Sequence, residues 1–335
     1  MRPAVVRRGS WCVLLALCCL SGCEQDLRVP YIPPKLANWP QPYRGISGLT
    51  VHVFNTGYVR VSEALILRGG SLTEHRDLPV PAFVIQHPRH GLILFNTGLS
   101  PKPDQASPWR GWLRLIAPEV SAGHGLKAQM AHAGLKAGAV KWIVLSNMRF
   151  DHTGEVKAFP NARVVVAKAE YDYAQGRRDG YASQTFDGVA NWKFIDFRSA
   201  KPLGTFLAHV DLFGDGSCLL LEASGSTPGT MAMLARLRQG PLLLADDLAA
   251  VAESLRYAAK PASVYDMGRW WDHIWRLKRF KDLVPNLIVL PGHAREPILA
   301  ARSKQIIVHD FRPPAGRLSP APTPNRLRRL IPQPW

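Results

Sequence analysis

The chain has 335 residues, 47% of them hydrophobic and 20% charged, enough for one large α/β domain or two small ones. A formal net charge of +17 favours acidic partners such as anionic lipid, lipopolysaccharide or nucleic acid, but no basic–aromatic interleaving of the kind that reads DNA or RNA is present, which argues against nucleic acid. Four of the five cysteines (Cys12, Cys18, Cys19 and Cys23) lie near the N-terminus and only Cys218 in the body, which leaves no disulfide framework within the body.

The N-terminus reads as a targeting segment. Arg7 and Arg8 precede an apolar run over 11–20 that is too short to span a bilayer as a mature helix. The run ends in Leu20-Ser21-Gly22-Cys23, which resembles a bacterial lipoprotein signal. That resemblance implies a signal peptide over 1–22, lipid modification of Cys23 and a periplasm-facing, membrane-anchored envelope protein. An ordinary secretory signal cleaved nearby is the alternative. Glu24 stands where the inner-membrane retention signal of enteric bacteria has Asp, which implies the outer membrane. Loss of Arg2, Arg7 and Arg8 with the signal lowers the net charge to +14. Residues 23–45, with Pro30, Pro33, Pro34, Pro40 and Pro42, read as an extended tether.

A folded domain is expected over 46–310. Alternation predicts a strand over 49–54, and two more over 81–86 and 92–95 closed by the turn Asn96-Thr97-Gly98. Apolar spacing over 126–137 predicts a helix stopped by Gly138. The apolar run 142–145 predicts a buried strand that opens into a polar turn carrying Asp151 and His152. Strands follow over 162–166, 206–212, 218–223, 231–237, 241–245 and 286–290, and helices over 168–175, 248–258 and 270–280. Cys218, inside an apolar run, is expected to be a buried small hydrophobe rather than a nucleophile. From 311 the chain is Pro- and Arg-rich and reads as a basic, disordered tail.

Four candidate ligands each follow a predicted strand: Asp151 with His152, then Asp246, then His293. Two carboxylates and two imidazoles are ligand types that suit zinc or another divalent transition metal, and they would offset its charge. One such residue at a strand end is usually a satisfied polar group, and it is the joint placement that points to a metal.

The stretch Ser146-Asn-Met-Arg-Phe-Asp-His-Thr-Gly154 resembles the His-x-His-x-Asp-His motif of the metallo-β-lactamase superfamily. Ile93-Leu-Phe-Asn-Thr-Gly98, residues 214–230, Leu244-Ala-Asp246 and Leu290-Pro-Gly-His293 resemble its other site segments in the same order, over about residues 49–300. The N-acyl-homoserine lactonase-like branch is the nearest in pattern. The resemblance implies an α/β fold, a four-layered αββα sandwich of two mixed sheets flanked by helices. It also implies that Asp151, His152, Asp246 and His293 hold the second of the family's two metals.

The departures shape the functional expectation. Asn147, Arg149 and Ser226 stand where the family has the three histidines of its first metal, Asn96 replaces a supporting aspartate, and Ala249 replaces a tyrosine that contacts substrate. One reading is a hydrolase with a single zinc or similar ion that opens an ester, lactone or amide with a metal-activated water. There Asp151 or Asp246 orients the water, and Arg149 holds the oxyanion or an acidic group of a small-molecule substrate. Arg149 could equally pair with Asp246 and block the pocket. The other reading is a catalytically inactive member that serves as a binding or scaffold lipoprotein.

Overall fold

The computed structural model describes residues 33–102, 119–176 and 180–312. The signal segment, Cys23 and the tail from 313 onwards lie outside the described residues.

An eight-stranded mixed sheet is built from β1 (Thr50–Ser62), β2 (His75–His87), β3 (Gly91–Phe95), β4 (Glu119–Ala122), β5 (Val140–Val144), β6 (Arg163–Ala167), β7 (Trp192–Ile195) and β14 (Ile306–Val308). A six-stranded sheet is built from β8 (Lys201–Leu203), β9 (Phe206–Asp211), β10 (Cys218–Glu222), β11 (Met231–Leu237), β12 (Gly240–Asp246) and β13 (Ile288–Pro291). The helices are α1 (Leu126–His132), α2 (Phe150–Thr153), α3 (Lys168–Ala174), α4 (Ala252–Tyr257), α5 (Met267–Leu283) and α6 (Arg295–Ala300).

Alternation along the strands sorts the residues into layers. Ile93 and Phe95 of β3 meet Leu242 and Leu244 of β12 in the core between the sheets. Their neighbours Leu92 and Leu94 face the helical layer with Leu126 and Met130 of α1, while Leu243 and Ala245 face Trp270, Ile274, Leu277 and Phe280 of α5. Both faces of each central strand are therefore covered, and such strands read as continuous apolar runs. The result is the expected αββα sandwich. Helix α5 opens with Asp266 accepting a hydrogen bond from the Arg269 amide (3.0 Å) and buries one stripe at helical spacing. Cys218 is fully buried, and burial pushes its thiol up to about 12.

Several elements differ from expectation. Strand β1 continues past Phe54 because Asn55, Thr56 and Gly57 form a bulge rather than an end. Helix α1 ends at His132, before a left-handed Gly134 (φ 74°) and well short of Gly138. The predicted helix over 248–258 is a short 3₁₀ turn followed by α4, closed by Ala258 at φ 52°. Strands β4, β7, β8 and β14 were not expected; they are three or four residues long, too short for a period to emerge.

Strands β3 and β5 run parallel in one sheet, and β12 and β13 run parallel in the other. Parallel pairing sends their C-terminal ends to a common rim, where open α/β folds place their sites.

Candidate metal centre

The loops leaving β3, β5, β12 and β13 carry the expected residues to that rim. Asn96 leaves β3 in the left-handed region (φ 60°), and its Oδ1 accepts from the Ser146 amide (2.9 Å) just after β5. Asp151 and His152 lie on the one-turn helix α2 rather than on an open turn. Gly154 follows it because the backbone of 98–100 leaves no room: an added Cβ would sit 2.1 Å from the Ser100 nitrogen.

The four predicted ligands line one pocket, with His152 facing Asp151 through one ring nitrogen and Asp246 through the other. His152 Nδ1 is 3.0 Å from Asp151 Oδ1 and its Nε2 is 3.0 Å from Asp246 Oδ2, while His293 Nε2 is 3.6 Å from Asp151 Oδ2. Metal–ligand bonds of about 2.0–2.1 Å set tetrahedral donors about 3.3 Å apart, the size of these separations, but an ion meets only one of the two nitrogens of His152 and so sits either with Asp151 and His293 or with Asp246 and Asp247. Asp151, His152 and His293 offer donor atoms that all lie within 4.8 Å of one another. His293 Nδ1 donates to the Pro79 carbonyl (2.9 Å), which fixes a proton there and leaves Nε2 as the nitrogen available to a cation.

The cluster demands positive charge. Burial works to neutralise His152, but the carboxylates of Asp246 and Asp151 outweigh it and hold the imidazole protonated well above its ordinary value. Burial opposes protonation of His293 too, yet its hydrogen bond with Asp247 and the Asp151 charge raise it. Asp151 is held below the usual carboxylate range against burial by His152 and His293. A divalent cation meets the same demand and displaces those protons.

The positions that depart from the family pattern are also in this pocket. Asn147 Nδ2 donates to Asp247 Oδ2 (3.0 Å), and Ser226 Oγ donates to the Asp247 carbonyl (2.7 Å). The half-buried Arg149 side chain makes no salt bridge with any described residue, Asp246 included, so the blocking pair does not form. Burial works against its charge, but Asp247 and Asp151 nearby keep it protonated. Asn96 also donates through Nδ2 to Asp246 Oδ2 (3.1 Å), which an aspartate could not do, and the Ser146 hydroxyl donates to the same oxygen. Ala249 is buried, and its carbonyl accepts from the Gly292 amide (3.2 Å).

Two residues of the site were missed in the sequence. Asp247 brings its Oδ1 to 3.4 Å from His293 Nε2; its one signal was adjacency to Asp246. Glu170 on α3 is fully buried and accepts from the Met148 amide (2.9 Å), Tyr181 (3.0 Å), Thr227 (2.5 Å) and the Gly229 amide (3.2 Å). It ties the Asp151 segment to the 224–230 loop, and nothing in a surface-like Lys-Ala-Glu-Tyr marks that role.

Two sheets, their flanking helices and a histidine–aspartate cluster at the shared rim define the metallo-β-lactamase fold and the place of its site. Residues 75–293 match the metallo-beta-lactamase superfamily, and the chain belongs to it. It is 31% identical over 192 residues to N-acyl homoserine lactonase AttM of Azorhizobium caulinodans, covering 55% of this chain and 70% of that protein. It is 25% identical over 266 residues to N-acyl homoserine lactonase AiiB of Agrobacterium fabrum, covering 74% and 95%. In fold it is similar to a quorum-quenching N-acyl homoserine lactone lactonase (TM-score 0.63, 20% identity, 78% and 98% covered) and to the dizinc lactonase AidC (TM-score 0.52, 18%, 76% and 90%).

Proposed function

We propose that this protein is a metal-dependent hydrolase that uses one divalent transition metal, zinc or a similar ion, to open a small lactone, ester or amide. The observation that carries this reading is the preserved His293: its Nδ1–H is committed to Pro79, and its Nε2 faces two carboxylates. A fold kept only as a scaffold has no need of that arrangement. When bound, the metal lowers the pKa of a water and polarises a carbonyl. Asp151, His152, Asp246 and His293 supply the donors. Arg149, charged and not committed to a salt bridge with any described residue, presents its guanidinium to a developing oxyanion or to an acidic group of the substrate. The lipid anchor at Cys23 and an outer-membrane, periplasm-facing location belong to the same proposal, on the strength of Leu20-Ser21-Gly22-Cys23.

The test is metal analysis of the purified protein, with hydrolysis of N-acyl homoserine lactones and aryl esters measured before and after chelation. One equivalent of metal and chelator-sensitive turnover are expected; less than about a tenth of an equivalent would remove the reading. Arg149→Ala should lower turnover by about 10²–10³-fold, the effect of deleting an oxyanion donor, with metal content unchanged.

A further inference from the structure

Successive side chains of a strand point to opposite faces, so if β12 simply ran on, Asp247 would diverge from Asp246 at the strand's end. It does not. Asp246 adopts φ 48° and ψ −134°, a conformation that side-chain-bearing residues rarely take. The backbone reversal turns both carboxylates into one pocket, where His152, Asp246 and Asp247 offer donor atoms within 4.8 Å of one another. Such strain persists only where the surroundings over-determine it. Here Asn96, Ser146 and His152 together hold the Asp246 carboxylate.

Asp247 is held as firmly, and by an informative set of residues. Its Oδ2 is taken by the Asn147 amide at 3.0 Å, its backbone carbonyl by the Ser226 hydroxyl at 2.7 Å, and the charge of Arg149 lies close by. Oδ1 remains, buried and 3.4 Å from the nitrogen that His293 has available for a cation. All three positions at which this chain departs from the family's first-metal histidines thus bear on Asp247.

We infer that Asp247 is itself a ligand of the cation through Oδ1, and that Asn147 and Ser226 are positioning residues that hold it there. Asp247 would then join His152 and Asp246 around the ion, with His293 Nε2 beside it. The inference rests on the metal-dependent reading above.

The experiment titrates Zn²⁺ and Mn²⁺ into the full chain, purified in detergent and stripped with chelator. The readouts are calorimetric affinity and the metal-induced rise in melting temperature. Wild type should bind one equivalent. Asp247→Asn should lose about 10²-fold or more in affinity while its metal-free melting temperature stays close to wild type, and Asp247→Glu should recover part of the loss. Asn147→Ala and Ser226→Ala should each lose about 10-fold, the lower end for residues that orient a ligand. Arg149→Met should not weaken binding, because it removes a positive charge beside the ion. Wild-type affinity in Asp247→Asn, with binding abolished in His293→Ala, overturns the inference and leaves the metal-dependent reading standing. No binding by wild type overturns both. If Asp247→Asn does not fold, unchanged affinity in Asn147→Ala and Ser226→Ala overturns it.

Discussion

Among the described residues, two clusters place two imidazoles and a carboxylate within 4.8 Å: Asp151, His152 and His293 at one rim, and His87, His90 and Asp215 at the other end of β3. By distance alone they are alike, since His90 Nε2 lies 3.3 Å and His87 Nε2 3.7 Å from Asp215 Oδ2. They differ in what the second ring nitrogen does. His293 Nδ1 faces a carbonyl and must carry a proton, so Nε2, which faces the Asp151 and Asp247 carboxylates, is the nitrogen a cation can take. His87 Nδ1 accepts from the amides of Arg89 (3.1 Å) and His90 (3.2 Å), so the neutral ring carries its proton on Nε2, where a metal would have to sit. Arg89 also pairs with Asp215. A metal centre is therefore read from the atoms behind the ligands as much as from the ligands themselves.

The largest effect that would break this comparison is a change of stoichiometry. His293→Ala should abolish metal binding measured by calorimetry, whereas His87→Ala should leave one equivalent bound at wild-type affinity. Loss of a metal equivalent in His87→Ala would place a second ion at the far rim. Next in size is the thermal effect. Metal at about 100 times its dissociation constant adds about 2.7 kcal/mol, so chelation should lower the melting temperature of a domain this size by about 5–10 °C. His87→Ala should leave that drop unchanged.

The smallest effect belongs to the far rim alone. Burial works to raise Asp215, but hydrogen bonds from Ser217 and His90 prevail and bring it down to about 2 from an ordinary 3.8. A carboxyl depressed on folding stabilises the protein above its unfolded-state value, and that stabilisation is lost as pH falls through the folded one. The stability advantage of wild type over Asp215→Asn, measured by denaturant titration, should therefore be present at pH 5 and shrink between about pH 4 and 2. A constant difference across that range would contradict the assignment.

The sequence carried the sandwich because its signals were long. A continuous apolar run marked β5, and five motif segments came in family order. It pointed to Asp151, His152, Asp246 and His293 because each stands at or after the end of a strand, and those strands end at one rim. It hid Asp247, since strand periodicity points that side chain away from its neighbour and only the left-handed turn at Asp246 reverses it. It hid Glu170 because burial of an acid on a short helix depends on donors from Met148, Thr227 and Gly229, none of them close in sequence. Three missing histidines suggested decay, and only side-chain placement revealed Asn147 and Ser226 turned toward the same carboxylate group and its backbone.

The parallel pairs β3–β5 and β12–β13 belong to different sheets yet end side by side at the rim. An ion gripped there would act as a clasp across the sandwich, and its release would let the sheets part more readily. Amide protons of both strand pairs should then exchange with solvent together and more slowly in the metal-loaded protein. The reaction centre would double as the fastening that governs how long the molecule survives in its folded form.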